Sequence, residues 1–263
     1  MSGQMINLSE TTLMWFIVHF IVDYYIMHPN KLEKQMLCKF SSSLIIYITL
    51  FGCFLKNNSW KEISFLFITS IVSHTLVYYF NRDLNKSNTQ KFTDNSIPYT
   101  FIRHVGLQVF ILLLIVILSQ SITPLKSFLP LVFYGVPTRT ILQWLLLIIL
   151  MHSPANTTMK IAFEKFQVPD KKVYWLQSFL DDKTGNHITA TIPGAGALIG
   201  TMERLITCLL MDLGQYALIG LIFTSKSVAR FDRISKDQAF AEYYLLGTLY
   251  SVLFVIIAYR IIF

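Results

Sequence analysis

The stretch LIGTMERLITCLLMDLGQYALIGLIF, residues 198–223, decides what kind of protein this is. It is long and apolar enough to cross a bilayer, whose ~30 Å hydrocarbon core takes about 20 apolar residues of helix. Yet it carries Glu203, Arg204, Asp212 and Gln215. An ionisable group at membrane depth is costly, and a chain that keeps one turns it toward a bundle interior or a wet cavity. Wound as one helix at about 100° per residue, the stretch places Gly200, Glu203, Thr207 and Gly214 on one stripe. Arg204, Cys208 and Gln215 form a second line, and Asp212 falls nearly opposite the first. With polar groups all round, this segment is expected to meet protein or water on most sides. Asp212 is expected to find a partner in Arg204, two turns away, or in Arg103 or His104 of an earlier segment.

The rest of the chain supports a membrane setting. Its 263 residues are 54% hydrophobic and only 14% charged, with mean hydropathy +0.52, where a soluble domain carries about a quarter charged residues. The net charge of +7 does not point to nucleic acid. The basic residues are scattered through loops between apolar runs, as in cytoplasmic loops of membrane proteins. Cys38, Cys53 and Cys208 have neither metal nor disulfide spacing and sit in or beside apolar runs.

Apolar runs at residues 11–27, 37–55, 63–80, 98–119, 129–151, 197–223 and 240–263 predict an all-α, polytopic transmembrane helical bundle of six to seven spans. The fifth run is expected to kink or split at Pro137. Residues 1–152 hold the N-terminal transmembrane helices. Residues 153–196 form a basic linker, within which MKIAFEKF (159–166) has the pattern of a short interfacial helix. Residues 197–263 are expected to form a C-terminal transmembrane helix pair.

Orientation exposes a conflict. The basic loops at 31–39, 82–91 and 160–183 alternate as cytoplasmic loops should. Lys226, Arg230, Arg233 and Lys236 precede the last span, and a strict count of seven puts them on the opposite face. Either one segment does not cross, the fifth or the sixth, or the charge rule fails here.

Earlier spans carry polar groups too. His19 and Asp23 are one turn apart on one helix face, His74 lies in the third span and His104 in the fourth. Imidazole and carboxylate from three helices are the donor types of an intramembrane metal site with an open position for water. The simpler expectation is that His19 and Asp23 hydrogen-bond and hold helices together. Gly196, Gly200, Gly214 and Gly220 permit close helix approach, Gly196 and Gly200 as a G-x-x-x-G pair.

The C-terminal third reads G-x-x-I-G-x-x-E-R-L from Gly196, G-Q-Y-x-x-I-G from Gly214, K-S-x-A-R-F from Lys226 and A-E-Y-x-L-x-G-T-L from Ala241. With H-x-x-x-D at His19 and P-A-N at Pro154, this resembles the bacterial multi-pass membrane family catalogued as domain of unknown function 3307. The resemblance runs nearly the whole length and is strongest after residue 190. It implies a protein of the bacterial cytoplasmic (inner) membrane and no particular reaction. Where that family favours an acid after the third-span histidine and D-Q before the fourth-span one, this chain has Tyr78 and Thr100-Phe101.

The expectation is therefore a non-enzymatic membrane protein, homo-oligomeric and without cofactor or nucleic-acid partner. Its C-terminal helices line an ion path or subunit seam through Glu203, Arg204, Asp212 and Gln215, with Lys226, Arg230 and Glu242 at a charged mouth. A membrane effector would be a special case. The alternatives are a metal-dependent hydrolase acting on a lipid-linked substrate through His19, Asp23, His74 and His104, and an adaptor for a separately encoded soluble partner.

Overall fold

The computed structural model describes residues 8–26, 64, 67–68, 71–72, 99–119, 136–163 and 194–263. Every element among them is a helix: α1 (Glu10–Ile21) running into a π turn (Val22–Ile26), α2 (Tyr99–Ser119), α3 (Thr138–Ala162), α4 (Ala195–Asp212), α5 (Tyr216–Ala229), α6 (Phe231–Lys236) and α7 (Gln238–Ile262). Two compact units result: Met1–Thr158 with Ala258–Phe263, and Met159–Ile257. Among the described residues α3 and α7 are long and apolar enough to cross a membrane. The second expected span lies outside the described residues, and the third is represented only by a few helical positions such as Ile68 and Ile71.

In the first unit α1 begins at Ser9, whose side chain accepts the Thr12 amide at 3.2 Å, with Glu10 in the first turn. A hydroxyl cap of this kind is worth about 1 kcal/mol, and an acid there suits the helix dipole. The helix is buried nearly all round, through Leu13, Trp15, Phe16, Ile17 and Phe20, which is the signature of a central rather than a peripheral helix. The apolar run at 98–119 folds as the helix α2. The fifth run differs. Pro137 stands just before the helix, where its missing N–H costs nothing, and accepts the Ile141 amide at 3.3 Å. The helix then continues through Pro154 to Ala162. Met159–Ala162, read above as the start of an interfacial helix, is its last turn. At the chain end, Gln143 donates to the Ile262 carbonyl, and Trp144 meets Phe263 edge-on at 5.5 Å.

The second unit overturns the reading of residues 197–223 as one helix. The chain turns back at Leu213, Gly214 and Gln215. Gly214 adopts φ +68. Gln215 N–H donates to the Leu210 carbonyl at 2.8 Å and Gly214 N–H to the Met211 carbonyl at 3.1 Å. This pair of bonds, closed by a left-handed glycine, is the Schellman ending of a helix. The helix that follows pairs back on the first: Lys226 Nζ donates to Glu203 Oε2 at 2.5 Å, and these two residues are equally far from the turn. So α4 and α5 form an antiparallel hairpin, and 197–263 holds three helices plus a short link instead of a helix pair. At Gly247 of α7 an added Cβ would stand 2.9 Å from the Met159 methyl, so α3 and α7 approach closely there. Phe163 and Tyr250 pack edge-on at 5.5 Å beside it.

Candidate functional site: a polar seam in an apolar unit

Helix α4 is amphipathic in the reverse of the soluble sense. Its buried line is Thr201, Arg204, Thr207, Cys208 and Met211, while Leu198, Met202, Ile206 and Leu209 are exposed. On α5, apolar throughout its first two turns, no residue is buried. A polar interior under an apolar exterior is what a membrane setting asks for.

Arg204 is the centre of the seam and only 2% exposed. Its guanidinium folds back along its own helix, donating to Thr201 Oγ1 at 3.2 Å and reaching Ser251 Oγ of α7 at 3.5 Å. Gly200 leaves room for the fold-back, since a Cβ there would stand 3.3 Å from Arg204 Nη1 and the guanidinium would have to shift by a few tenths of an ångström. Glu203, one residue before, takes Lys226 of α5. Lys226 in turn lies over the Tyr244 ring at 5.6 Å, a cation–π contact, and the Tyr244 hydroxyl meets Ser227 at 3.4 Å. The remaining hydroxyls back-bond to their own helices: Thr207 to Glu203 O at 2.7 Å, Thr224 to Gly220 O at 2.9 Å, Thr248 to Tyr244 O at 2.8 Å. This is how a helix keeps a hydroxyl in an apolar setting. Between α4, α5 and α7 runs a cleft lined by Glu203, Arg204, Thr207, Phe223, Ser251 and Val255, narrower than a water molecule.

Of the residues expected to share a path, Glu203, Arg204 and Lys226 come together. Asp212 is the last residue of α4 and Gln215 ends the turn, both exposed. Eight residues of helix put Asp212 about 12 Å along the axis from Arg204. The side chain of Arg103 lies outside the described residues. Arg230 is exposed at the α5–α6 break, and Glu242, also exposed, accepts from Gln238 at 3.1 Å. A side chain at Gly196, Gly214 or Gly220 would meet nothing within 4 Å. Thr201, Ser251 and Tyr244 were not singled out in the sequence. A hydroxyl three residues before a membrane arginine is a usable signal, whereas Ser251 and Tyr244 come from a distant helix and left none.

The described histidines, His19, His104 and His152, belong to the first unit, where the π turn fans three consecutive side chains onto three partners. Asp23 Oδ2 accepts from Gln108 Nε2 at 2.8 Å. The Tyr24 hydroxyl bonds His104 Nε2 at 3.2 Å, and the Tyr25 hydroxyl bonds His152 Nδ1 at 2.8 Å, its ring stacked on the imidazole. His19 Nε2 lies 3.0 Å from Gln108 Oε1 and 3.5 Å from Asp23 Oδ2, so Gln108 stands between the two residues expected to pair directly. Ser153 donates to the Tyr24 carbonyl at 3.3 Å. Among the described residues no three His, Cys, Asp or Glu side chains converge as metal ligands do. His74 lies outside the described residues.

No family model, no curated protein and no solved structure matches this chain.

Proposed function

We propose that the chain is a multi-pass protein of the bacterial cytoplasmic membrane, non-enzymatic and homo-oligomeric, whose C-terminal helices build an ion path or subunit seam around Arg204 and the Glu203–Lys226 pair. The observation that carries this reading is the inverted amphipathicity of the second unit: a buried guanidinium and its hydroxyl partners inside, unpartnered apolar side chains outside. The cleft beside Arg204 has no room for water, so this cleft as it stands is not itself an ion path. A path forms only where a second copy covers the apolar faces of α4 and α5, or where the hairpin opens. Asp212 and Gln215, at the hairpin tip, are then the mouth, a role assigned above to the opposite end.

A re-entrant hairpin would also remove the charge conflict. The 14 residues of α5 span about 21 Å, short of the ~30 Å core. A hairpin that dips in and returns leaves Lys226–Lys236 on the side where it entered, with the earlier basic loops on the cytoplasmic face.

The hydrolase alternative draws on His19, Asp23 and His104. His19 Nε2, Asp23 Oδ2 and His104 Nε2 are engaged with Gln108 and Tyr24, an arrangement that ties α1 and its π turn to α2, and this favours a structural role. The deciding experiment is ion flux in proteoliposomes together with native mass spectrometry. We expect an oligomer that conducts, and a Glu203→Gln variant that assembles normally but whose flux is altered at least severalfold. A wild type that is monomeric in every mild detergent and passes no ion under any gradient would sink the reading, leaving the adaptor for a soluble partner as the better account.

A further inference from the structure

The link from α5 to α7 gathers positive charge beside exposed apolar side chains. Lys226, Arg230, Arg233 and Lys236 fall within eleven residues, opposed there by Asp232 alone. The groups are not equivalent. Lys226 is committed to Glu203. Asp237, just beyond, is committed to α7, where its carboxylate accepts the Phe240 amide at 3.0 Å. Arg233 holds its guanidinium 4.0 Å from the Phe240 ring centre, fixing a cation at the mouth of α7. Arg230 and Lys236 are exposed. On either side of Arg230 stand Val228 and Phe231, 68% and 66% exposed.

Cations interleaved with solvent-facing apolar side chains at the end of a membrane-length helix are the composition of a headgroup interface. Position agrees with charge: α7 begins at Gln238 and carries exposed Leu245, Leu249 and Leu253, an apolar surface along which acyl chains would lie. We propose that this corner is a docking site for the headgroup of an anionic phospholipid. Arg230, Arg233 and Lys236 bind the phosphodiester, and Val228 and Phe231 insert among the acyl chains. The proposal rests on the membrane reading above. It adds that the C-terminal unit discriminates between lipids, so that lipid charge tunes how the hairpin is held against α7.

The test uses the full chain in nanodiscs of phosphatidylcholine alone and of phosphatidylcholine mixed with phosphatidylglycerol, with retained lipids counted by native mass spectrometry. The expected result is preferential retention of phosphatidylglycerol, falling about fivefold for each charge removed in Arg230→Gln and Arg233→Gln. The cation–π contact with Phe240 is made by Arg233, while Arg230 is exposed, so the Arg230 variant separates charge from folding. Arg260→Gln, an exposed cation at the other end of α7, should leave the preference unchanged. Entry into neutral nanodiscs with equal retention of both lipids would overturn the lipid site and leave the membrane reading standing. Failure to enter any bilayer would overturn both. Loss of the preference on adding inorganic phosphate would assign the site to a free anion, and retention of an acidic peptide in place of lipid would assign it to a protein partner. Either result overturns the headgroup.

Discussion

Gly214 does its work through one torsion. Its φ of +68 is the left-handed region, which costs a residue with a Cβ roughly 1–2 kcal/mol, and a side chain there would find open space. Strain and crowding therefore make different predictions. If strain governs, Gly214→Ala and Gly214→Leu lower stability by a similar amount, about 1–2 kcal/mol, and Gly214→Asn recovers much of it, because Asn tolerates this conformation. If helix contact governed, Leu would be far worse than Ala and Asn would not help. Melting the three variants in one detergent separates the cases. Gly220→Ala, in mid-helix with room around it, should be neutral or gain up to about 1 kcal/mol. Among the described glycines, the one that meets a neighbouring helix is Gly247, against Met159. It lay within a quoted motif and could not be told apart from the others by spacing, because contact partners far along the chain leave no local mark.

Elements carry a lesson about punctuation. Leu-Gly-Gln at 213–215 is a helix-ending signal in its own right, and it was legible. The apolar run on both sides is together long enough for one crossing helix, and that length masks the signal. Pro154 misleads in the opposite direction: a proline after a long apolar run suggests a stop, yet α3 continues through it for two more turns. The limits of α2 and α7 followed from the apolar pattern within two residues, whereas α3 begins just after Pro137, where a kink or split was expected, and runs eleven residues past the end of the apolar run at 151. What no pattern could supply is the π turn at Val22–Ile26, which fans out Asp23, Tyr24 and Tyr25. Single-turn π segments often sit at functional positions, but here each fanned side chain ends on a hydrogen-bond partner. The network is therefore expected to act on stability. Gln108→Leu removes the group between Asp23 and His19 and should cost about 1–3 kcal/mol. His152→Phe, whose partner Tyr25 is half-exposed, should cost less than half of that. Equal losses in thermal melts would mean the buried and outer arms of the network are not distinguished as described.

At the scale of the molecule, the seam and the hairpin make one topological claim that needs no knowledge of what the protein conducts. Seven crossings place Lys160 and Arg230 on opposite faces, because one crossing segment lies between them. A hairpin that enters and returns places them on the same face. Both residues are exposed, so each can be replaced by cysteine in a background from which Cys38, Cys53 and Cys208 have been removed. A membrane-impermeant thiol reagent applied to intact spheroplasts should spare both Lys160→Cys and Arg230→Cys. It should react with both after lysis, the pattern of the cytoplasmic face. A cysteine at Phe263 should behave in the opposite way, since α7 is long and apolar enough to cross. Reaction of Arg230→Cys from outside, with Lys160→Cys still protected, would mean that α4 and α5 together traverse the membrane. Asp212 and Gln215 would then lie at mid-depth instead of at the tip of a returning loop, and the wet path would have to run through the turn itself.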